Sequence, residues 1–179
     1  MPRRAALNVA INFVVIVNVA NMSVTTKRGD DGKSRWMGRV VDKDGPLLEA
    51  IGDLDELMAA VGIVGEEVSG IKKITEKTNK ELYYLSGYLA GYNKKIDLSE
   101  SIKFLEQDIE KMESEMEKLH NFLLPGSGLN VWLNWSRTVC RRTERSLVTL
   151  AKTQPVEKTV LIFINRLSDY LFMLGRSIK

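Results

Sequence analysis

From Pro46 onward, apolar residues recur at intervals of three and four in five separate stripes. Leu47, Ile51, Leu54, Met58 and Val61 make the first, and Ile71, Ile74, Thr78, Leu82, Leu85, Leu89 and Tyr92 the second. Ile102, Leu105, Ile109, Met112, Met116, Leu119 and Leu123 form the third; Leu133, Ser136, Cys140, Thr143, Leu147 and Leu150 the fourth; Val160, Phe163, Leu167, Leu171, Leu174 and Ile178 the fifth. This spacing gives each of five helices one apolar side. Asp97 with Glu100 three residues later predicts a capping box opening the third helix, and "LLPGSG" at 123–128 closes it. Pro155 is expected in the first turn of the fifth. The first helix is expected to be the shortest. Short connections between such stripes specify an all-α, up-and-down five-helix bundle of the ferritin-like style. With neither a linker nor an internal repeat, one domain is expected over residues 25–179.

Upstream the pattern changes. Residues 25–46 are polar, charged and glycine-rich, which on a compact domain marks either a functional loop or disorder. Within it, "TKRGDDGKS" combines glycines that let backbone N–H groups approach a phosphate with basic side chains that meet its charge. It matches neither the P-loop nor the dinucleotide fingerprint, so a plain surface loop is the other reading. Residues 1–24 form an N-terminal extension. "PRR" followed by "AALNVAINFVVIVNVA" has the basic start and apolar body of a signal or short anchor, but Asn8, Asn12 and Asn18 interrupt it and no clear cleavage site follows. A start at Met22 is one expectation; an added strand or helix and a membrane signal are the others.

Composition narrows the chemistry. The net charge of +3 is too small to announce nucleic acid, so an anion site must come from local clustering. Cys140 is the only cysteine and His120 the only histidine, which excludes an intrachain disulfide, a thiolate cage and a multi-histidine metal site within one chain. A reducing, cytoplasmic setting follows from the cysteine usage.

The clustering occurs in "RTVCRRTER", which carries Arg137, Arg141, Arg142 and Arg145. Arg137, Arg141 and Glu144 share one helix face, and Asn165, Asp169, Phe172 and Arg176 share one on the fifth helix. Spacing alone favours solvated salt-bridged rows, each pair contributing about 0.2–0.5 kcal/mol. Taken in order, however, "TKRGDDG" (26–32), "KDGPLLEAIGDLDEL" (43–57), "FLLPG" (122–126), "RTVCRRTER" (137–145) and "NRLSDYLF" (165–172) resemble the PduO-type ATP:cob(I)alamin adenosyltransferases over about 150 residues.

The resemblance implies a homotrimer that moves the 5′-deoxyadenosyl group of ATP to the cobalt of a reduced corrinoid, with magnesium on the triphosphate. Thr26, Lys27, Arg28 and Gly29 would wrap the nucleotide, Asp30, Gly32, Ser34 and Arg35 would continue the loop, and Lys43 would reach the phosphates. A neighbouring subunit would supply Arg141, Arg142, Thr143, Glu144, Arg145 and Asn165. Asp55 would pair with Arg137 between subunits. Phe122 would cover the lower face of the corrin, with Asp169 and Phe172 beside the ring, and Arg141 and Phe122 would carry catalysis. A reductase and an adenosylcobalamin-dependent acceptor enzyme are implied partners, whereas nucleic acid and membrane are not. A non-catalytic ATP- and corrinoid-binding trimer, acting as sensor or cofactor chaperone, is the alternative. The chain departs from the family at Arg28, usually threonine, at "PGSG", and at Asn134, where a histidine is common. Pro125 to Arg137 is also one residue short, and another residue is missing between Gly38 and Lys43.

Overall fold

The computed structural model describes residue 27 and residues 29–121, 123–124, 126 and 129–178. The N-terminal extension, Thr26, Arg28 and Phe122 lie outside the described residues.

The five expected helices are α1 (Pro46–Glu67), α2 (Lys72–Leu89), α3 (Ser99–Glu115), α4 (Val131–Leu150) and α5 (Lys158–Ser177). Their order around the bundle follows from cross-helix contacts. Asp53 of α1 meets Arg142 and Ser146 of α4, and Gly65 of α1 abuts Thr75 of α2. Glu81 of α2 accepts from Ser101 of α3 at 2.9 Å. Asp108 of α3 accepts from Tyr170 of α5 at 2.9 Å, and the start of α4 rests on Gly175 near the end of α5, where Asn130 N donates to its carbonyl at 2.8 Å. The cyclic order is therefore α1, α2, α3, α5, α4, with α3 and α5 parallel and every other neighbouring pair antiparallel. That is the up-and-down pattern. Leu54, Leu57, Leu82, Leu85, Leu133, Leu147, Phe163, Ile164 and Leu167 fill the centre with almost no exposure, each contributing roughly 1.5–3 kcal/mol by leaving water.

Four features of the helices differ from expectation. The first helix is the longest, at 22 residues, because Gly62 and Gly65 lie on its α2 side and let it continue along α2. A Cβ at Gly65 would collide with the Thr75 side chain. The third helix stops at Glu115 rather than running to the proline, with Met116 extended at φ −111° and ψ 153°. Its parallel partner α5 ends at Ser177, so a longer α3 would find no apolar surface. Arg176 Nη2 instead takes the Glu117 carbonyl at 2.7 Å, and Leu119 is 43% exposed. The start of α3 is not a capping box: Asp97 accepts from Ser99 N at 3.0 Å, while Leu98 occupies the cap position. Pro155 precedes α5 instead of entering its first turn. Asn130 caps α4 through bonds from Trp132 N and Leu133 N.

Part of the loop upstream is a hairpin, β1 (Lys33–Trp36) against β2 (Arg39–Asp42), antiparallel with Trp36 opposite Arg39. Its two turn residues, Met37 and Gly38, have φ of 47° and 78°, the left-handed pair that a tight two-residue hairpin needs. The usual Asn-Gly is replaced by Met-Gly, so the turn carries a weak sequence signal. Trp36 Nε1 donates to the Ala90 carbonyl at 3.0 Å and sets its ring edge-on to Tyr92, tying the hairpin to the end of α2. Among the described residues no helix is long and apolar enough to cross a membrane.

Candidate active site

Helix α4 has the two opposed polar faces that matter. Toward α3 and α5 it borders an open cleft of about 650 Å³, whose walls include Glu106, Arg137, Arg141, Arg166, Asp169 and Phe172. Arg137 is held by Asn134, whose Oδ1 accepts from Nε at 3.1 Å, and its guanidinium lies 5.9 Å from the centre of the Phe172 ring. The departure at Asn134 thus has a local use. Arg141 is exposed, and within the described residues its guanidinium has no hydrogen-bond or ion-pair partner. Glu144 accepts from Asn165 Nδ2 at 3.1 Å, and Asp169 from Arg166 Nη1 at 3.3 Å. The structure therefore brings together Arg137, Arg141, Glu144, Asn165, Asp169 and Phe172 from the expected set.

Arg142 and Thr143 go elsewhere. Arg142 Nε donates to Asp53 at 3.1 Å, and its other end pairs with Glu56, so its charge is spent on α1. These carboxylates push its pKa upward, the hydrogen bond it donates to Glu56 foremost. Thr143 is fully buried and donates to the carbonyls of Asp53 at 3.0 Å and Val139 at 3.1 Å. Thr143 is thus committed inside the bundle, while Arg142, 42% exposed, has its charge taken up by the α1 carboxylates. Arg145 is exposed and turns back to the Arg141 carbonyl at 3.0 Å. Arg142 turns its charge to the α1 carboxylates while its side chain stays 42% exposed, so the clustered arginines do not present one continuous basic face.

The glycine loop lies at the other end of the bundle. Lys27 is exposed with φ 55°, and Asp30 and Gly32 are exposed. Lys43 clasps the loop twice, its Nζ donating to the Gly29 carbonyl and its backbone N to Gly32 O at 2.9 Å. Ser34 and Arg35 alternate on β1, Ser34 half-buried and Arg35 outward. Beneath the hairpin a second cavity, of about 710 Å³, is lined by the hairpin, the start of α1 and the end of α4. Arg141 stands nine residues before Leu150, so about 14 Å along the helix from that end, and it faces α5 rather than α1. One chain therefore does not bring the loop to the arginines. Nor does it bring Asp55, exposed on α1, to Arg137.

Sequence reasoning missed Asp53, Ser146, Glu106 and Arg166. The first two had no local signal, since Asp53 meets its partners from 89 and 93 residues away. Arg166 stood inside "NRLSD", three residues before Asp169. Cys140 is buried and its Sγ donates to the Ile164 carbonyl at 3.3 Å; burial drives its thiol pKa far up, so it is an inert core residue, as expected. Among the described residues no group of three or more His, Cys, Asp or Glu could hold a metal ion.

The cobalamin adenosyltransferase family model matches residues 24–178. The chain belongs to the cobalamin adenosyltransferase family. It is 36% identical over 168 residues to the corrinoid adenosyltransferase of Bacillus subtilis, covering 88% of this chain and 87% of that one. Identity to the Salmonella typhimurium corrinoid adenosyltransferase PduO is 35% over 166 residues, 87% of this chain but only 49% of that longer protein. Among solved structures, a variant PduO-type ATP:corrinoid adenosyltransferase from Lactobacillus reuteri complexed with cobalamin and ATP superposes with a TM-score of 0.79. That likeness covers 86% of this chain and 89% of the other at 30% identity.

Proposed function

We propose that this chain transfers the 5′-deoxyadenosyl group of ATP to the cobalt of cob(I)alamin, giving adenosylcobalamin and triphosphate. One observation carries the reading: Arg141, whose guanidinium has no polar partner among the described residues, faces an open cleft beside Asp169 and Phe172, while the glycine loop sits at the far end of the bundle. Two half-sites that lie apart within a chain would meet when copies pack together, and the family resemblance implies that this assembly is a homotrimer with ATP between subunits. Asp55 of one copy would pair with Arg137 of the next. Residues 25–179 are the catalytic domain in this reading.

In the reaction the cobalt–C5′ bond forms as the C5′–O5′ bond breaks, and the triphosphate leaves with the electron pair. Co(I) is itself a strong nucleophile, so the protein needs neither a histidine nor a thiolate. It must aim C5′ and stabilise the leaving anion. Thr26, Lys27, Arg28, Gly29, Asp30, Gly32, Ser34 and Arg35 would hold the nucleotide, with Lys43 releasing the Gly29 carbonyl to reach a phosphate. Arg141 would meet the triphosphate across the subunit boundary, since a guanidinium stays charged and binds phosphate oxygens in pairs. Glu144, Arg145 and Asn165 would frame it, while Arg142 and Thr143 act by anchoring α4 to α1. Phe122 would form the apolar wall that keeps an axial ligand off cobalt, beside Asp169 and Phe172. The described residues offer no acidic cage, so magnesium would enter with ATP on the triphosphate oxygens. A reductase supplying Co(I), an acceptor enzyme for the product and a cytoplasmic location complete the proposal.

The test is anaerobic incubation of the protein with ATP and chemically reduced cobalamin, following the corrinoid absorbance and released triphosphate, with native mass measured alongside. Product formation by a trimer is expected. Tight ATP binding without triphosphate release would indicate the sensor or chaperone alternative, and a monomer that turns over would refute the shared site.

A further inference from the structure

One side chain in the cleft has no part in the chemistry above. Arg166 projects from α5, and its Nε donates to Oε1 of Glu106 on α3 at 2.8 Å. Its Nη1 donates both to Oδ2 of Asp169 and to Oδ1 of Asn165, each at 3.3 Å. Asn165 in turn spends its Nδ2 on Glu144 of α4 at 3.1 Å. One guanidinium thereby touches the residue read as lying beside the corrin and, of the pair read as framing the nucleotide, Asn165, which carries the link on to Glu144. Three helices are joined through it.

The chemistry of these groups gives the arrangement a direction. Arginine can only donate, so its bond to Oδ1 decides which way the Asn165 amide faces and aims Nδ2 at Glu144. A single Nη1 shared between two acceptors at 3.3 Å makes two long bonds, each weaker than the 2.7–2.9 Å usual for a charge-assisted contact. Drawing Asp169 toward a bound substrate leaves Nη1 free to close on Asn165. The amide is then held more firmly in the orientation that aims Nδ2 at Glu144. Glu106, outside both residue sets, keeps the guanidinium in place while the shared end shifts, and its hydrogen bond is the main influence holding the Arg166 pKa above its usual value.

We propose that Arg166, braced by Glu106, is a positioning residue that couples the two substrates: occupation of the Asp169 side prepares Asn165 and Glu144 for ATP, and ATP prepares Asp169 in return. The reciprocity is a thermodynamic requirement of any such link. This inference rests on the adenosyl-transfer reading.

Its test measures ATP affinity of the whole protein, anaerobically, with and without saturating cob(II)alamin. Wild type is expected to bind ATP about tenfold more tightly when cob(II)alamin is present, within the span typical of coupled sites. Arg166→Met should bring that ratio to about one, Glu106→Gln should reduce it partly, and Arg166→Lys should restore part of what Met loses, since an ammonium cannot span three acceptors at once. A purely structural role would lower the melting temperature and both affinities while leaving the ratio alone. If Arg166→Met does not fold, Glu106→Gln and Arg166→Lys decide the matter by the same ratio. A ratio unchanged from wild type in the folded variants, or a wild-type ratio of one, overturns the coupling. Absence of adenosylcobalamin from wild type overturns the functional reading instead, so the two failures are separable.

Discussion

Arg141 and Arg142 are neighbours in the chain with identical side chains, yet the two faces of α4 on which they sit have opposite characters. On the α1 face, Arg142, Thr143 and Ser146 converge on Asp53, whose side chain is only 10% exposed, and nearly every polar atom is used internally. On the cleft face, Arg141 keeps its charge free beside Asp169 and Phe172. The first face behaves as a clamp between helices and the second as a binding wall. The lesson is that a run of basic residues on a helix is not one feature, because a step of about 100° between neighbours sends adjacent charges to different elements.

The sharpest way to break this contrast is Arg141→Ala. The transfer rate should fall at least about 100-fold, equivalent to roughly 3 kcal/mol of barrier, with the melting temperature unmoved, since no partner among the described residues is lost. Stopped-flow absorbance and calorimetry together check it, and a rate within threefold of wild type, on the order of 0.6 kcal/mol, would remove Arg141 from the mechanism. Arg142→Ala should do the reverse. It leaves Asp53 and Glu56 without their cation, and because Arg142 is itself 42% exposed the cost is screened to about 1–2 kcal/mol of stability. Urea unfolding measures that loss; a stable but inactive variant would show that Arg142 belongs with the ligand after all.

Thr143→Val keeps the volume and removes a buried donor, so about 1 kcal/mol of stability should go, without effect on ATP affinity in a folded trimer. The smallest effect concerns the α3–α5 seam, where Tyr170 joins α5 to α3 through Asp108. Burial, then the hydrogen bond and charge of Asp108, raise the Tyr170 pKa above its ordinary value. The folded state therefore keeps a proton that the unfolded state releases above pH about 10, so stability is complete below that pH and declines as pH rises toward the folded value. Tyr170→Phe should abolish that alkaline decline while costing a little at neutral pH, which melting curves at pH 7 and above 10 would reveal. An unchanged alkaline slope would assign it to other groups.

Much of this was legible in the chain alone. Three- and four-residue spacing fixed the number and placing of the helices, because an apolar stripe must be buried whichever partner covers it, and the ordered motifs pointed to the family independently of any geometry. Local pattern failed where the outcome depended on a distant segment. Met116, Leu119 and Leu123 continue the stripe of α3 faultlessly, yet the helix stops because α5 offers nothing further to pack against. The hairpin depends on Met37 accepting a left-handed backbone, which its side chain does not advertise.

What the sequence by itself determined was the bundle and its family, both written in periods and motifs that act within a few residues. Only the tertiary structure decided which arginine is spent and which is available, because Arg142 finds Asp53 at a sequence separation of 89 and no local rule carries a preference over that distance.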